Sequence, residues 1–382
     1  MMRVVKKMRI LFALPGLHRV NRGAEVAFEE LGRAMSVHPR CQVTLLGSGP
    51  ARAGESYEYL SARCLPRERF VRWPKMPYLR SHYVYEELSF IPGMLAVYRP
   101  QDYDVTVTCG YPYTNWVLRA RHSDGYRPRH VYVTQNGDWM VHARMWEYRH
   151  FGCDALICTN CEYYQRHSTS WPSALIPNGV DPAVFSPGSG RRRDFGLPAD
   201  RPVILMVSAL IPSKRVLEGI RAVALLPEAH LIIAGDGELR SKVESLGREV
   251  LPGRFSCLQL PRAAMPSLYR SADAFLHMSV DEPSANAYIE ALATGLPTVT
   301  HDRAVTRWTL EETSILVDTA DAQAVANGLQ AALKASRPCE IEARRNLAVT
   351  RFAWKSIAGQ YAAFFRAMFG GGHERQVCLK SA

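Results

Sequence analysis

Short apolar runs, often β-branched, recur along the chain, each followed by a polar loop and then a stretch of helical period. In order they are RILFAL (9–14), CQVTLLG (41–47), DVTVTCG (104–110), HVYVTQN (130–136), ALICTN (155–160) and ALIPNG (174–179). The second half continues with PVILMVSAL (202–210), HLIIAG (230–235), FSCLQL (255–260), AFLHMS (274–279) and TVTHD (298–302). Strands apolar on both faces and alternating with helices predict parallel sheets in an α/β architecture. The rhythm breaks once, in a Pro-, Gly- and charge-rich stretch after Asn178, which reads as an interdomain linker. The expected organisation is a first Rossmann-like domain over 1–184, a linker at 185–200 and a second such domain over 201–350. A terminal helix at 351–369 is expected to pack back on the first domain, and 370–382 is read as a disordered tail. Ligands of open parallel sheets bind at the carboxyl ends of the strands, so the active site is expected in a cleft between the two domains.

The length of 382 residues suits two domains, and 47% hydrophobic with 22% charged residues is an ordinary globular composition. The basic start MMRVVKKMRILFAL lacks a small-residue cleavage pattern and reads as a first strand. No stretch of about twenty apolar residues occurs, so the expectation is a cytoplasmic protein without a spanning helix. Nine cysteines scattered through apolar segments read as buried, reduced thiols. The net charge of +11 suits phosphorylated substrates, anionic lipid headgroups or nucleic acid. Between Glu68 and Arg80, bases alternate with aromatics, which fits either peripheral contact with a membrane surface or a solvated face with its rings turned inward. Nucleic acid is not expected as a partner.

The most informative segment runs from Asp281 to Pro297, DEPSANAYIEALATGLP, directly after the AFLHMS strand. Ser284 is a plausible N-cap for a helix that stops at Gly295, placing Glu282 in the loop and Glu290 in the helix. A helix N-terminus attracts a diphosphate, while carboxylates accept hydrogen bonds from sugar hydroxyls. Two acids beside an anion site fit a sugar nucleotide.

The Glu-x7-Glu spacing in EPSANAYIEALATGLPTV resembles the signature of the retaining glycosyltransferase family 4. SALIPSKR (208–215) is similar to that family's phosphate loop, HLIIAGDGELR (230–240) to its next strand and turn, and IPNGVDPAVF (176–185) to its interdomain junction. RGAEVAFEELGRAM (22–35) resembles its first loop and helix, and the matches occur in the family's order. The resemblance implies a GT-B fold and a retaining, metal-independent transferase that moves a sugar from a UDP- or GDP-sugar to a glycan, lipid-linked or small-molecule acceptor. No cofactor is implied beyond the donor itself.

By position, the resemblance implies that Glu282 faces the transferred sugar, that Glu290 holds the donor ribose, and that Lys214 with Arg215 neutralises the diphosphate. Gly23 would let backbone approach the phosphates as the two domains close on the donor. Ser208, Ser284, Ala285 and Asn286 would line the donor site. The chain departs from the family pattern at Ser208-Ala209, where a Gly-Arg pair is common, and Arg215 is the expected substitute cation. It departs again at Ser284-Ala285, in place of Phe-Gly. Gln135, Asp138 and His142 are candidates for acceptor or sugar contact, although Asn136-Gly137-Asp138 is also ordinary turn chemistry.

Other functions fit less well. Asp102-Tyr103-Asp104 has the D-x-D form of a metal site but stands at a strand entrance, and no metal is expected. Gly47-Ser48-Gly49-Pro50-Ala51-Arg52 lacks the third glycine of a dinucleotide loop. A glycoside hydrolase using Glu282 and Glu290 has no need of the anion site at Lys214. That hydrolase and a non-catalytic nucleotide-sugar binding module are the alternatives.

Overall fold

The computed structural model describes residues 7–122, 125–142, 146–282 and 286–369. Two compact units divide the chain, one made of Met1–Asn178 with Trp354–Ala382 and the other of Gly179–Ala353.

Unit 1 holds strands β1 (Met8–Ala13), β2 (Cys41–Gly47), β3 (Glu58–Ser61), β4 (Val105–Thr108), β5 (Arg129–Val133), β6 (Ala155–Cys158) and β7 (Ser173–Leu175). Its helices begin with α1 (Gly23–Ser36), α2 (His82–Val97), α3 (Tyr113–Arg119), α4 (Trp139–His142) and α5 (Cys161–His167). The strands form one parallel sheet in the order β3-β2-β1-β4-β5-β6-β7. The interior strands β4 and β6 are buried at every residue, as a sheet covered on both faces requires. Asp104, at the entrance of β4, accepts from the Arg9 backbone N–H at 2.9 Å and pairs with its guanidinium, so it ties two strand starts together.

Unit 2 holds β8 (Val203–Val207), β9 (His230–Ala234), β10 (Phe255–Leu258), β11 (Ala274–His277), β12 (Thr298–His301) and β13 (Ile315–Val317). Helices α6 (Val216–Ala224), α7 (Arg240–Val250), α8 (Met265–Arg270), α9 (Asn286–Ala293), α10 (Ala304–Leu310), α11 (Ala322–Lys334) and α12 (Pro338–Phe352) cover it. The sheet is again parallel, in the order β10-β9-β8-β11-β12-β13. The chain then returns to unit 1 as α13 (Trp354–Phe369), whose Ile357, Tyr361 and Phe365 enter the same core as Phe28 and Leu31 of α1.

Three sequence readings need revision. The stretch 185–200 is no free linker, because Phe185 and Leu197 are buried in the core of unit 2 and Arg192 pairs with Asp273 at 2.5 Å. Of the cysteines read as buried thiols, Cys41, Cys109 and Cys158 are buried, Cys64, Cys153, Cys161 and Cys257 are half-buried and Cys339 is exposed; the described cysteines are free thiols, and burial pushes that of Cys158 up to about 12. The edge strands β3 and β13 were not anticipated, since EYLS and ILV are short and only partly buried. The expected tail, 370–382, lies outside the described residues.

Candidate functional site

In unit 2 the strand order reverses between β8 and β11, so the loops leaving their carboxyl ends diverge and open a crevice. The loop after β8 carries Ser208 to Arg215, and the loop after β11 carries Met278 to Glu282. They are joined where Ser279 Oγ donates to Ser213 O at 3.2 Å. Lys214, in a single 3-10 turn, donates from Nζ to Glu282 Oε2 across this crevice. The Glu282 carboxylate is almost fully buried, and an ammonium at its side is the counter-charge that burial demands.

Behind this pair lies His277, the last residue of β11, with Nε2 at 3.7 Å from Glu282 Oε2. Its Nδ1 is 2.9 Å from the Tyr288 hydroxyl, which is itself 2.8 Å from Thr300 Oγ1. Burial, opposed by Glu282 and aided by Lys214, pushes His277 down to about 4, so the imidazole is neutral at pH 7. The unfolded chain takes up this proton near pH 6.5, whereas the native state resists until about 4. His277 therefore costs no stability above about pH 6.5 and an increasing amount as pH falls toward 4. The melting temperature is expected to fall over that window, and His277→Asn to flatten the fall; an unchanged slope would mean another group governs it.

Glu290, one helix face further on, is also buried, and Arg262 donates to its Oε1 at 2.5 Å. The same guanidinium lies 4.8 Å above the centre of the Phe185 ring. Asn286 opens α9, while Ser284 and Ala285 lie outside the described residues. The helix ends at Ala293, and Gly295 takes φ 72, a turn that glycine makes without strain.

Arg215 does not stand beside Lys214 as a second free cation. Its backbone turns to φ 51, and the guanidinium donates to Thr319 Oγ1 at 3.1 Å and Thr319 O at 3.2 Å, tying the loop to the chain after β13. Ser208 is half-buried, its hydroxyl bonding to Ala209 O at 3.2 Å. Arg303 donates to Val280 O at 2.8 Å and Asp281 Oδ1 at 3.0 Å, which pins the loop that carries Glu282. Arg262, His277, Arg303 and Thr319 were not singled out in the sequence, because no local motif surrounds them. Their common signal is position at or just beyond the carboxyl end of a strand.

Unit 1 has its own reversal between β1 and β4. Gly23 opens α1 there, and the preceding loop is held by Glu86, a fully buried carboxylate that gathers Arg19, Arg22 and Arg67. Glu25, also buried, lies so close to Gly16 that a Cβ there would meet Oε1 at 2.1 Å.

Gln135 and Asp138 are buried after β5, while His142 is exposed. Asp138 accepts from Arg166 at 2.5 Å and lies 2.7 Å from His167 Nε2. Burial works to raise this carboxyl, but the His167 bond and the charges of Arg166 and His142 outweigh it and hold it below the usual range. Potential ligand atoms of Asp138, His142 and His167 lie within 4.8 Å of one another. Arg166 already provides a cation on the shared oxygen, an arrangement that competes with a metal ion.

Residues 191–348 match the family model "Glycosyl transferases group 1". The chain is 30% identical over 151 residues to the lipopolysaccharide core biosynthesis glycosyltransferase LpsE of Rhizobium meliloti, a match covering 37% of this chain and 44% of that protein. It thus spans less than half the length of that relative. Among solved structures, sucrose-phosphate synthase from Thermosynechococcus elongatus superposes with a TM-score of 0.77 at 21% identity, covering 95% of this chain and all of that one. Anabaena Alr3699/HepE, solved in complex with UDP and glucose, superposes with a TM-score of 0.69 at 19% identity, covering 94% of this chain and all of that one. At these identities the likeness is one of fold, and the fold is GT-B.

Proposed function

We propose that this chain, a member of the group 1 glycosyl transferases through its residues 191–348, transfers a sugar from a nucleoside diphosphate donor to a hydroxyl acceptor. The observation that carries this reading is the pairing of Lys214 with Glu282 at the strand-order reversal of unit 2, with Glu290 and Arg262 beside it. A diphosphate entering this crevice takes Lys214 as its counter-ion and frees Glu282 to accept from the sugar's hydroxyls. Glu290 accepts from the ribose hydroxyls, a bond that charge makes stronger than its neutral counterpart.

As the bond from the anomeric carbon to the phosphate oxygen breaks, negative charge grows on the leaving diphosphate, and a fixed ammonium lowers that barrier most. The acceptor oxygen bonds to the anomeric carbon from the face being vacated, its proton passes to the leaving phosphate, and configuration is retained. Lys214 supplies the positive charge that a metal provides elsewhere, so the reaction needs none. The acceptor is a glycan, a lipid-linked saccharide or a small molecule with a free hydroxyl, and the work is done in the cytoplasm.

The test is thermal stabilisation by UDP, GDP and their sugar conjugates, with EDTA or with magnesium, followed by NMR of the product's anomeric centre. One nucleotide at about a hundred times its Kd should stabilise by ~2.7 kcal/mol, equally in both buffers. Stabilisation that needs magnesium would sink the metal-free reading and turn attention to Asp138, His142 and His167. Tight donor binding without transfer or donor hydrolysis would make the chain a binding module.

A further inference from the structure

Unit 1 carries an apolar and basic surface that the proposed reaction does not use. From Val71 to Pro77 every residue is exposed, including Val71 at 67%, Trp73 at 53% and Met76 at 45%. The exposure is not that of a loose loop. Phe70 is buried and stacks on Tyr85 at 5.6 Å, Trp73 meets the same ring at 5.1 Å, and the Tyr85 hydroxyl donates to Pro74 O at 2.6 Å. Met76 and Leu79 then bridge in antiparallel fashion around Tyr78, whose N–H is fixed by Glu147 Oε1 at 3.0 Å.

The neighbouring helix extends the surface. Along α2, Glu86, Glu87, Phe90 and Met94 point inward, whereas Leu88, Pro92 and Leu95 form an exposed stripe at spacings of four and three, closed by the exposed Arg99. Trp73 reaches this helix through Tyr85, and the chain leading into the segment runs along it. The Leu65 N–H donates to Ser89 Oγ at 3.0 Å, and a Cβ on Gly93 would meet the backbone of Arg63 at 2.5 Å.

Charge decides what covers this face. Arg67 and Arg80 are spent on the buried carboxylates of Glu86 and Glu147. Arg63, Arg69, Arg72, Lys75 and Arg99 are exposed and have no ion pair among the described residues. The one exposed acid of the segment, Glu68, faces Arg22 at 3.8 Å. A second copy of the chain would set these like charges against each other across a two-fold axis, and the cores of protein interfaces are depleted of lysine. Rigid exposed Trp, Val, Met and Leu ringed by unpaired cations match instead the boundary between anionic phosphates and acyl chains.

We infer that Val71, Trp73 and Met76 together with the Leu88–Pro92–Leu95 stripe form a docking face for an anionic lipid bilayer. The cations bind lipid phosphates and the apolar side chains enter the interface. No helix among the described residues is long and apolar enough to cross a membrane, so the contact is peripheral. The inference stands apart from the sugar-transfer reading.

The experiment is co-sedimentation of the full chain with vesicles of phosphatidylcholine alone or mixed with phosphatidylglycerol, with sedimentation velocity alongside. Binding is expected only to the mixed vesicles and is expected to be lost near 1 M salt, where the screening length is about 3 Å. Arg72→Glu with Lys75→Glu, and separately Val71→Ser with Leu95→Ser, should each weaken it roughly tenfold or more. Melting temperature and nucleotide-induced stabilisation should be unchanged in both variants, which separates a failed docking face from a misfolded chain or a failed transferase. Equal binding to both vesicles, variants that bind like the parent, or a dimer dispersed by the same substitutions would overturn the inference.

Discussion

Lys214→Ala is expected to lower kcat by about 10²- to 10³-fold, the loss typical when a fixed positive group is removed from charge developing in a transition state. The same substitution also leaves Glu282 buried without its counter-ion, and removing one partner of a buried pair destabilises. Because the Lys214 side chain is about one-fifth exposed, water enters once it is gone, and the expected cost is ~1–2 kcal/mol rather than the full penalty for a dry interior. The double variant Lys214→Ala with Glu282→Gln removes the stranded charge and should recover most of the melting temperature without recovering turnover. Measured together, kcat and melting temperature distinguish a catalytic lysine from a structural one. A Lys214→Ala chain that loses melting temperature but keeps kcat within a few-fold of the parent would show that Lys214 only supports the loop.

Glu290→Gln should weaken nucleotide binding by roughly tenfold to a hundredfold, the difference between a charged and a neutral acceptor for two ribose hydroxyls. Folding should suffer little, since the released Arg262 guanidinium is already about one-third exposed, rests on the Phe185 ring and can turn to water. Titration with a nucleoside diphosphate and with inorganic diphosphate separates the roles. The first ligand should lose affinity in this variant and the second should not, whereas Lys214→Ala should weaken both. Equal loss for both ligands would place Glu290 near the phosphates and remove the ribose assignment.

Much of the candidate site can be read from local pattern. Ser-Ala-Leu-Ile-Pro-Ser-Lys-Arg after an apolar strand, and Glu282 and Glu290 flanking a helix start after another, are contiguous in sequence. Arg215 shows the limit of that reading. Its neighbour Lys214 crosses the crevice, but one residue later the backbone turns to positive φ and sends the guanidinium to Thr319, a partner more than a hundred positions away. Asp138 is a similar case. The turn at Gly137, with φ 112, was legible as turn chemistry, but that it aims the carboxylate inward at Arg166 and His167 was not. The stretch 185–200 looked like a tether because prolines, glycines and arginines dominate it, while the apolar residues that anchor it, Phe185, Phe195 and Leu197, carry no periodicity.

The sequence by itself determined that the chain forms parallel α/β layers, because strands buried on both faces must be apolar throughout and must be joined by helices that cover them. It also determined which loops hold the acids and the lysine, since turn and cap chemistry is local. Only the tertiary structure decided which of these groups meet. Lys214 reaches Glu282 across 68 positions, and Arg262 reaches Glu290 across 28. The first pairing exists because β8 lies beside β11 rather than beside its sequence neighbour alone, so that two carboxyl ends open on one crevice. Strand order is set by which apolar faces bury best against one another over the whole sheet, a sum over distant residues that no short stretch of sequence contains.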